Sequence, residues 1–255
     1  MSRRIRGFSL VELLIALALG LILVLGVVQV FLATKQSFVI QRSAASLQEN
    51  ARFILSRIAQ ELRMVNMYGC LDLGRLPQNI RNEIPVVFAT PISFASGTLT
   101  IIVADPNAER FSSTVTRSAS DYGAKWLIAT DCRDTSDLRI TEADLQVRPG
   151  DLVIPIRQVE YRLQGNAIQA RSNGAGNFET LVDGVQTMNL AFGLADSAGA
   201  PVVVGNYAAN VAAAHSDRIR SIRLALSFSD VGSGSQGAMR VQQYTLVAAL
   251  RNRMN

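Results

Sequence analysis

Glu12 is the residue whose placement most demands a chemical explanation. The stretch Phe8-Ser9-Leu10-Val11-Glu12-Leu13-Leu14 opens an apolar run that stays uncharged from Leu13 to Ala33, with Gln29 as its one polar interruption. A carboxylate beside hydrocarbon is expensive unless a cation or a helix N-terminus offsets it, so Glu12 reads as a charge-pairing group. Cys70 and Cys132 are the two thiols, and they form either one disulfide or two buried free thiols. His215, the single imidazole, follows three alanines and suits a solvated or capping position better than that of a general base. Asp105, Asp131, Asp134 and Asp137 gather loosely near turns, but Ca²⁺ needs six or more oxygens in a defined loop, which this spacing does not specify. No G-x-S-x-G elbow and no helical H-E-x-x-H pair occurs. The residues therefore point to no catalytic group, no cofactor and no metal site, and an enzyme is not expected.

The elements that must position these groups follow from hydrophobic patterning. Leu13–Ala33 is about the ~20 residues that cross a bilayer as a helix. Arg3, Arg4 and Arg6 precede it with no acid between them and Glu12, so the positive-inside rule keeps the N-terminus cytoplasmic. Everything after about Thr34 then lies across the membrane, in a compartment that favours the disulfide over the free thiols. Beyond the run, Ile40, Ala44, Leu47, Ala51, Ile54, Ile58, Leu62 and Val65 recur at spacings of three and four, opposite a wettable face that includes Gln48, Glu49, Arg52 and Arg57. No proline precedes Pro77, so Phe8 to Asn66 is expected as one helix of about 88 Å. A long coiled coil is the rival, but the apolar seam stops near residue 66.

From residue 68 the texture becomes one of short alternating runs. Leu99–Val103 and Trp126–Ala129 read as compact strands, and Val159, Tyr161 and Leu163 alternate before Gly165-Asn166 turns the chain into Ile168 and Ala170. Further strands are expected over 188–194, 222–228 and 244–250, with loops around 105–123, 195–218 and 229–238. The predicted fold is α+β, a long N-terminal helix packed on an antiparallel sheet.

Charge narrows the function classes. The chain carries 25 basic and 20 acidic side chains, and without the three leader arginines 22 face 20. No block of like charge remains, so nucleic acid is not expected as a partner. Arg218, Arg220 and Arg223 alternate along a predicted strand and read as its solvent face.

The basic leader, the Gly7-Phe8 junction and Glu12 together resemble the class III signal of type IV prepilins. That resemblance implies cleavage between Gly7 and Phe8 by a prepilin peptidase and N-methylation of Phe8. The new amine would stand one helical turn from Glu12, ~6 Å along the axis. It would pair with Glu12 either within one chain or between neighbouring subunits, where the pair would set axial register. An ordinary secretory signal would instead be cut after its apolar core. The two-part helix resembles that of type IV pilins and pseudopilins, implying the type IV pilin-like fold. Leu47 to Met64 with Tyr68-Gly69-Cys70, and the tail Ala249-Leu250-Arg251-Asn252-Arg253, are similar to the PilW group of minor pilins.

The resemblance implies a domain order of leader 1–7, transmembrane or filament-core helix 8–34, amphipathic helix 35–67, and β-rich domain 68–255 with 35–67 packed on it. It implies a minor pilin that primes assembly of, or caps, a type IV pilus serving twitching motility or adhesion. Its expected partners are other minor pilins, the major pilin, the prepilin peptidase, the inner-membrane assembly platform and a large tip adhesin. The expected location is the bacterial inner membrane as a single-pass protein with its C-terminal domain periplasmic, then the pilus at the cell surface. A minor pseudopilin of a type II secretion system is the alternative within the superfamily. A membrane-anchored periplasmic binding module is the alternative of another class, and it would require neither Glu12 nor the Gly-Phe junction.

Overall fold

The structure, a computed structural model, describes residues 9–73, 76–229 and 241–253. Helix α1 runs unbroken over Leu10–Met64. Its length follows from a run without proline, rich in Leu and Ala, which favour the helix. The chain divides into a unit ending at Gln48 and a compact unit, Glu49–Asn255. In the first unit the large apolar side chains from Leu10 to Leu32 are exposed, Leu23 by 70%. In the second, Ala51, Ile54, Leu55, Ile58, Ala59 and Leu62 form a buried stripe, so the amphipathic pattern becomes a packing face.

After a helical turn α2 (Gln78–Arg81), the strands are β1 (Ile92–Ala95), β2 (Thr98–Ala104), β3 (Glu109–Arg110), β4 (Val115–Arg117), β5 (Trp126–Thr130), β6 (Arg139–Thr141) and β7 (Leu145–Val147). There follow β8 (Leu152–Gln164), β9 (Ala167–Ser172), β10 (Glu179–Asp183), β11 (Val185–Leu194), β12 (Ile219–Ser229) and β13 (Val241–Ala249). One eight-stranded sheet contains the path β1-β2-β8-β5-β6 with β3, β9 and β10 attached. A second sheet is β11-β12-β13, and β4 pairs with β7 apart from both. All pairings are antiparallel. The α+β class expected from the sequence is the class observed, and it is consistent with a type IV pilin fold.

β8 organises the larger sheet. Along one edge it pairs with β3 and then β2, along the other with β5 and then β9. Pro155, which would break an ordinary central strand, sits where one neighbour gives way to the next, between the β3 partner of Val153 and the β2 partner of Ile156. Its carbonyl accepts from Asp105 N–H, and the donor it lacks would face the same gap. β5 is buried at every position because both of its faces are covered. Trp126 and Ile128 pack with Tyr68, Phe88, Ile154 and Ile156, while Leu127 and Ala129 pack with Phe111, Val147 and Val153.

The predicted hairpin at Gly165-Asn166 joins β8 to β9, both turn residues having positive φ (59° and 61°), as a two-residue I′ loop needs. Two expectations need correction. The stretch 105–123 is not a plain loop: it holds β3, β4 and a 3₁₀ turn at Ala119–Tyr122, pieces too short for periodicity to reveal. Within 195–218 a 3₁₀ turn spans Ala213–Arg218, while most of 229–238 lies outside the described residues.

Candidate functional site

The N-terminal end of α1 is built from a short polar opening to a long apolar segment. Ser9 caps it: Val11 N–H donates to Ser9 Oγ at 3.3 Å and Leu13 N–H to Ser9 O at 3.2 Å. Glu12 falls in the first turn, where the orphan N–H groups and the helix dipole favour an anion. Further along, Thr34 Oγ1 donates to Val30 O at 2.8 Å, which satisfies its hydroxyl inside the helix. Among the described residues this helix is the one long and apolar enough to cross a membrane. Gly7 and Phe8 lie outside the described residues.

The other end of α1 is a junction of several segments. The helix closes at Met64, and Asn66 takes the left-handed conformation (φ 62°) that commonly ends a helix. Gly69 follows at φ 64°, a conformation that favours glycine, and a Cβ there would lie 2.9 Å from Ile154 Cδ1 and have to displace that methyl. Cys70 is bonded to Cys132, with Cα atoms 5.8 Å apart, which ties the helix exit to the segment after β5. The C-terminal tail closes the same region. Asn252 Nδ2 donates to Val65 O at 2.9 Å and, at 3.4 Å, to Arg63 O, supplying a donor to carbonyls that the helix leaves unpaired. Arg253 Nη1 donates to Ser216 O.

Arg220 overturns the expectation of a solvent-facing arginine trio. It shares the parity of Ile222, Leu224, Leu226 and Phe228, the buried face of β12, and is 1% exposed. Its Nε donates to Ala200 O (2.7 Å), its Nη1 to Asp217 O (2.7 Å) and Ile219 O (3.2 Å), and its Nη2 to Ser197 O (3.3 Å) and Ala198 O. The guanidinium holds the 197–200 loop by its carbonyls. Arg218 Nε donates to Ala195 O at 2.8 Å, and Arg223 alone of the three is exposed, 5.1 Å from the Tyr207 ring centroid. His215 is exposed in the 3₁₀ turn. Among the described residues no group of three or more His, Cys, Asp or Glu is placed to hold a metal.

A polar link also ties the helix to the larger sheet. Tyr161 Oη, on β8, donates to Glu61 Oε2 at 2.6 Å and accepts from Arg57 Nε at 3.3 Å. Burial pushes the Glu61 carboxyl above its ordinary value, against the opposing pull of Tyr161, Arg57 and Arg157.

Residues 2–28 match the family model described as the prokaryotic N-terminal methylation motif. No curated protein and no solved structure matches the chain. The matched span contains the arginine leader, the Gly7-Phe8 junction, Glu12 and most of the apolar segment of α1. The motif fits a type IV prepilin-like protein, and the long apolar N-terminal helix is consistent with membrane anchoring.

Proposed function

We propose that this protein is a PilW-type minor pilin that primes assembly of, or caps, a type IV pilus. The observation that carries the reading is the methylation motif joined to a helix whose apolar side chains, Leu10 to Leu32, are exposed. Such a helix is at home in lipid or packed against like helices, and a filament core offers the second setting after the membrane has offered the first. In this reading prepilin peptidase cuts between Gly7 and Phe8 and the new amine is methylated. Glu12 then answers that amine, in its own chain or the neighbour's, and sets register as helices pack. The N-terminus is cytoplasmic before cleavage and the β-rich domain periplasmic, where the Cys70–Cys132 disulfide is chemically at home. Other minor pilins, the major pilin, the assembly platform and a tip adhesin are its partners, and its role is assembly rather than catalysis.

The test is the intact mass of the full chain expressed with and without a prepilin peptidase. A peptidase-dependent N-terminus at methylated Phe8 is expected; an uncut chain, or one cut after the apolar segment, overturns the reading. Deletion of the gene should abolish surface pili and leave type II secretion intact. Loss of secretion with pili retained assigns the protein to the pseudopilins instead.

A further inference from the structure

We infer that a cleft at the exit of α1 binds a carboxylate borne on an apolar segment of a partner protein. The inference deepens the assembly reading and rests on it only in taking the ligand's source to be a protein. The cleft is about 950 Å³ and lies wholly within the compact unit. Leu71, Ile84 and Val86 give it an apolar side, and Val86 is 84% exposed. Tyr68, Arg220 and Arg253 give it a polar side.

The lining holds more cations than anions, Arg81, Arg220 and Arg253 against Asp72 and Asp217. The partners of Arg220 are backbone carbonyls, as is that of Arg253, and neither guanidinium closes an ion pair among the described residues. Asp217 is exposed on the lining and its charge favours both guanidinium cations, and Asp72 and Arg81, also exposed, line the cleft as well. Two largely buried cations beside one cleft are costly, and a carboxylate between them removes that cost while making charge-assisted bonds. Burial, reinforced by the nearby Arg220 charge, draws the Arg253 guanidinium down to about 10, and Tyr68 opposes that shift.

Hydrogen-bond capacity selects the same ligand. Arg253 Nε and Tyr68 Oη are buried with no partner, and both are donors. A carboxylate presents two acceptor oxygens; an amide presents one and brings donors that nearby N–H groups cannot accept. The apolar side beside these donors favours a carboxylate flanked by aliphatic side chains over a free inorganic anion.

The experiment uses the full chain in detergent micelles and two probes, N-acetyl-Leu-Glu-Leu-amide and N-acetyl-Leu-Gln-Leu-amide, titrated by NMR. The glutamate peptide should bind at least about tenfold more tightly, since a charge-assisted bond is worth roughly twice a neutral one. Tyr68→Phe should weaken the glutamate peptide by about threefold or more while leaving the Tm unchanged or raised, because the hydroxyl it removes has no partner in the free protein. Val86→Asp, at an exposed position, should abolish binding without unfolding the domain. Equal affinity for the two peptides, no saturation by either up to about 10 mM, or full displacement by equimolar inorganic phosphate would each overturn the inference. So would a Tm lowered by Tyr68→Phe with peptide affinity unchanged. None of these outcomes bears on peptidase processing, so failure here is separable from failure of the assembly reading.

Discussion

Removing the Cys70–Cys132 bond should lower the stability of the compact unit by about 4 kcal/mol. The cysteines are 62 residues apart, and the chain-entropy relation gives about that value for a loop of this size at 25 °C. Their Cα separation of 5.8 Å lies in the range that bridges without backbone movement, so little of the gain is offset in the folded state. The perturbation is the double substitution Cys70→Ser/Cys132→Ser, compared with the oxidised and the chemically reduced wild type. Trp126 is the single tryptophan and is 2% exposed, in the cluster that also holds Tyr68 and Leu71 beside Cys70, so its fluorescence reports on the region the bond restrains. In urea, the variant and the reduced wild type should coincide. Both should show a steeper m-value than the oxidised protein, because an unlinked unfolded chain exposes more surface. The midpoint of thermal unfolding should fall by roughly 8–16 °C. A loss under about 1 kcal/mol would refute the reasoning, since it would mean that the bond leaves the unfolded ensemble nearly unrestrained.

Glu61 should make stability depend on pH in an unusual direction for a carboxylate. Its folded pKa stands above the ordinary 4.5, chiefly through burial, so the folded state binds its proton more tightly than the unfolded one. Relative to Glu61→Gln, the wild type should gain stability as pH falls through its folded pKa toward 4.5, with the full gain present below that value. A wild-type-minus-variant difference that is flat, or that falls with acid, would contradict this. Arg220→Met should destabilise the domain by about 3 kcal/mol or more in urea denaturation, because the Ser197, Ala198 and Ala200 carbonyls lose their donor. Arg220→Lys should rescue only part of that loss, as an ammonium does not reproduce the planar fork; full rescue would show that charge, not geometry, holds the loop.

Legibility differed sharply between elements. α1 was readable because an unbroken apolar run passes, without a proline, into a stripe spaced by three and four, and β8–β9 because Gly165-Asn166 marks a turn that few sequences satisfy. The strands β3, β4, β6 and β7 were not, since two or three residues carry no period and exist only through their partners. The start of β8 was hidden by Pro155, which local rules exclude from a strand and a change of neighbour admits. Arg220 was the one misreading with a visible signal: its parity with Ile222 and Leu224 placed it on the apolar face all along.

The sequence by itself determined the prepilin-like N-terminus, the apolar and amphipathic halves of the helix, and the α+β class. Each is written in contiguous residues, where charge order and hydrophobic period act locally. Tertiary structure decided the junction at the helix exit, where Tyr68, Cys132, Arg220 and Asn252 come together from distant parts of the chain. No local period encodes such a meeting. It arises when sheet packing fixes which buried donors and charges face one another, and that fixed the cleft, the carbonyl cage around Arg220 and the cap on α1.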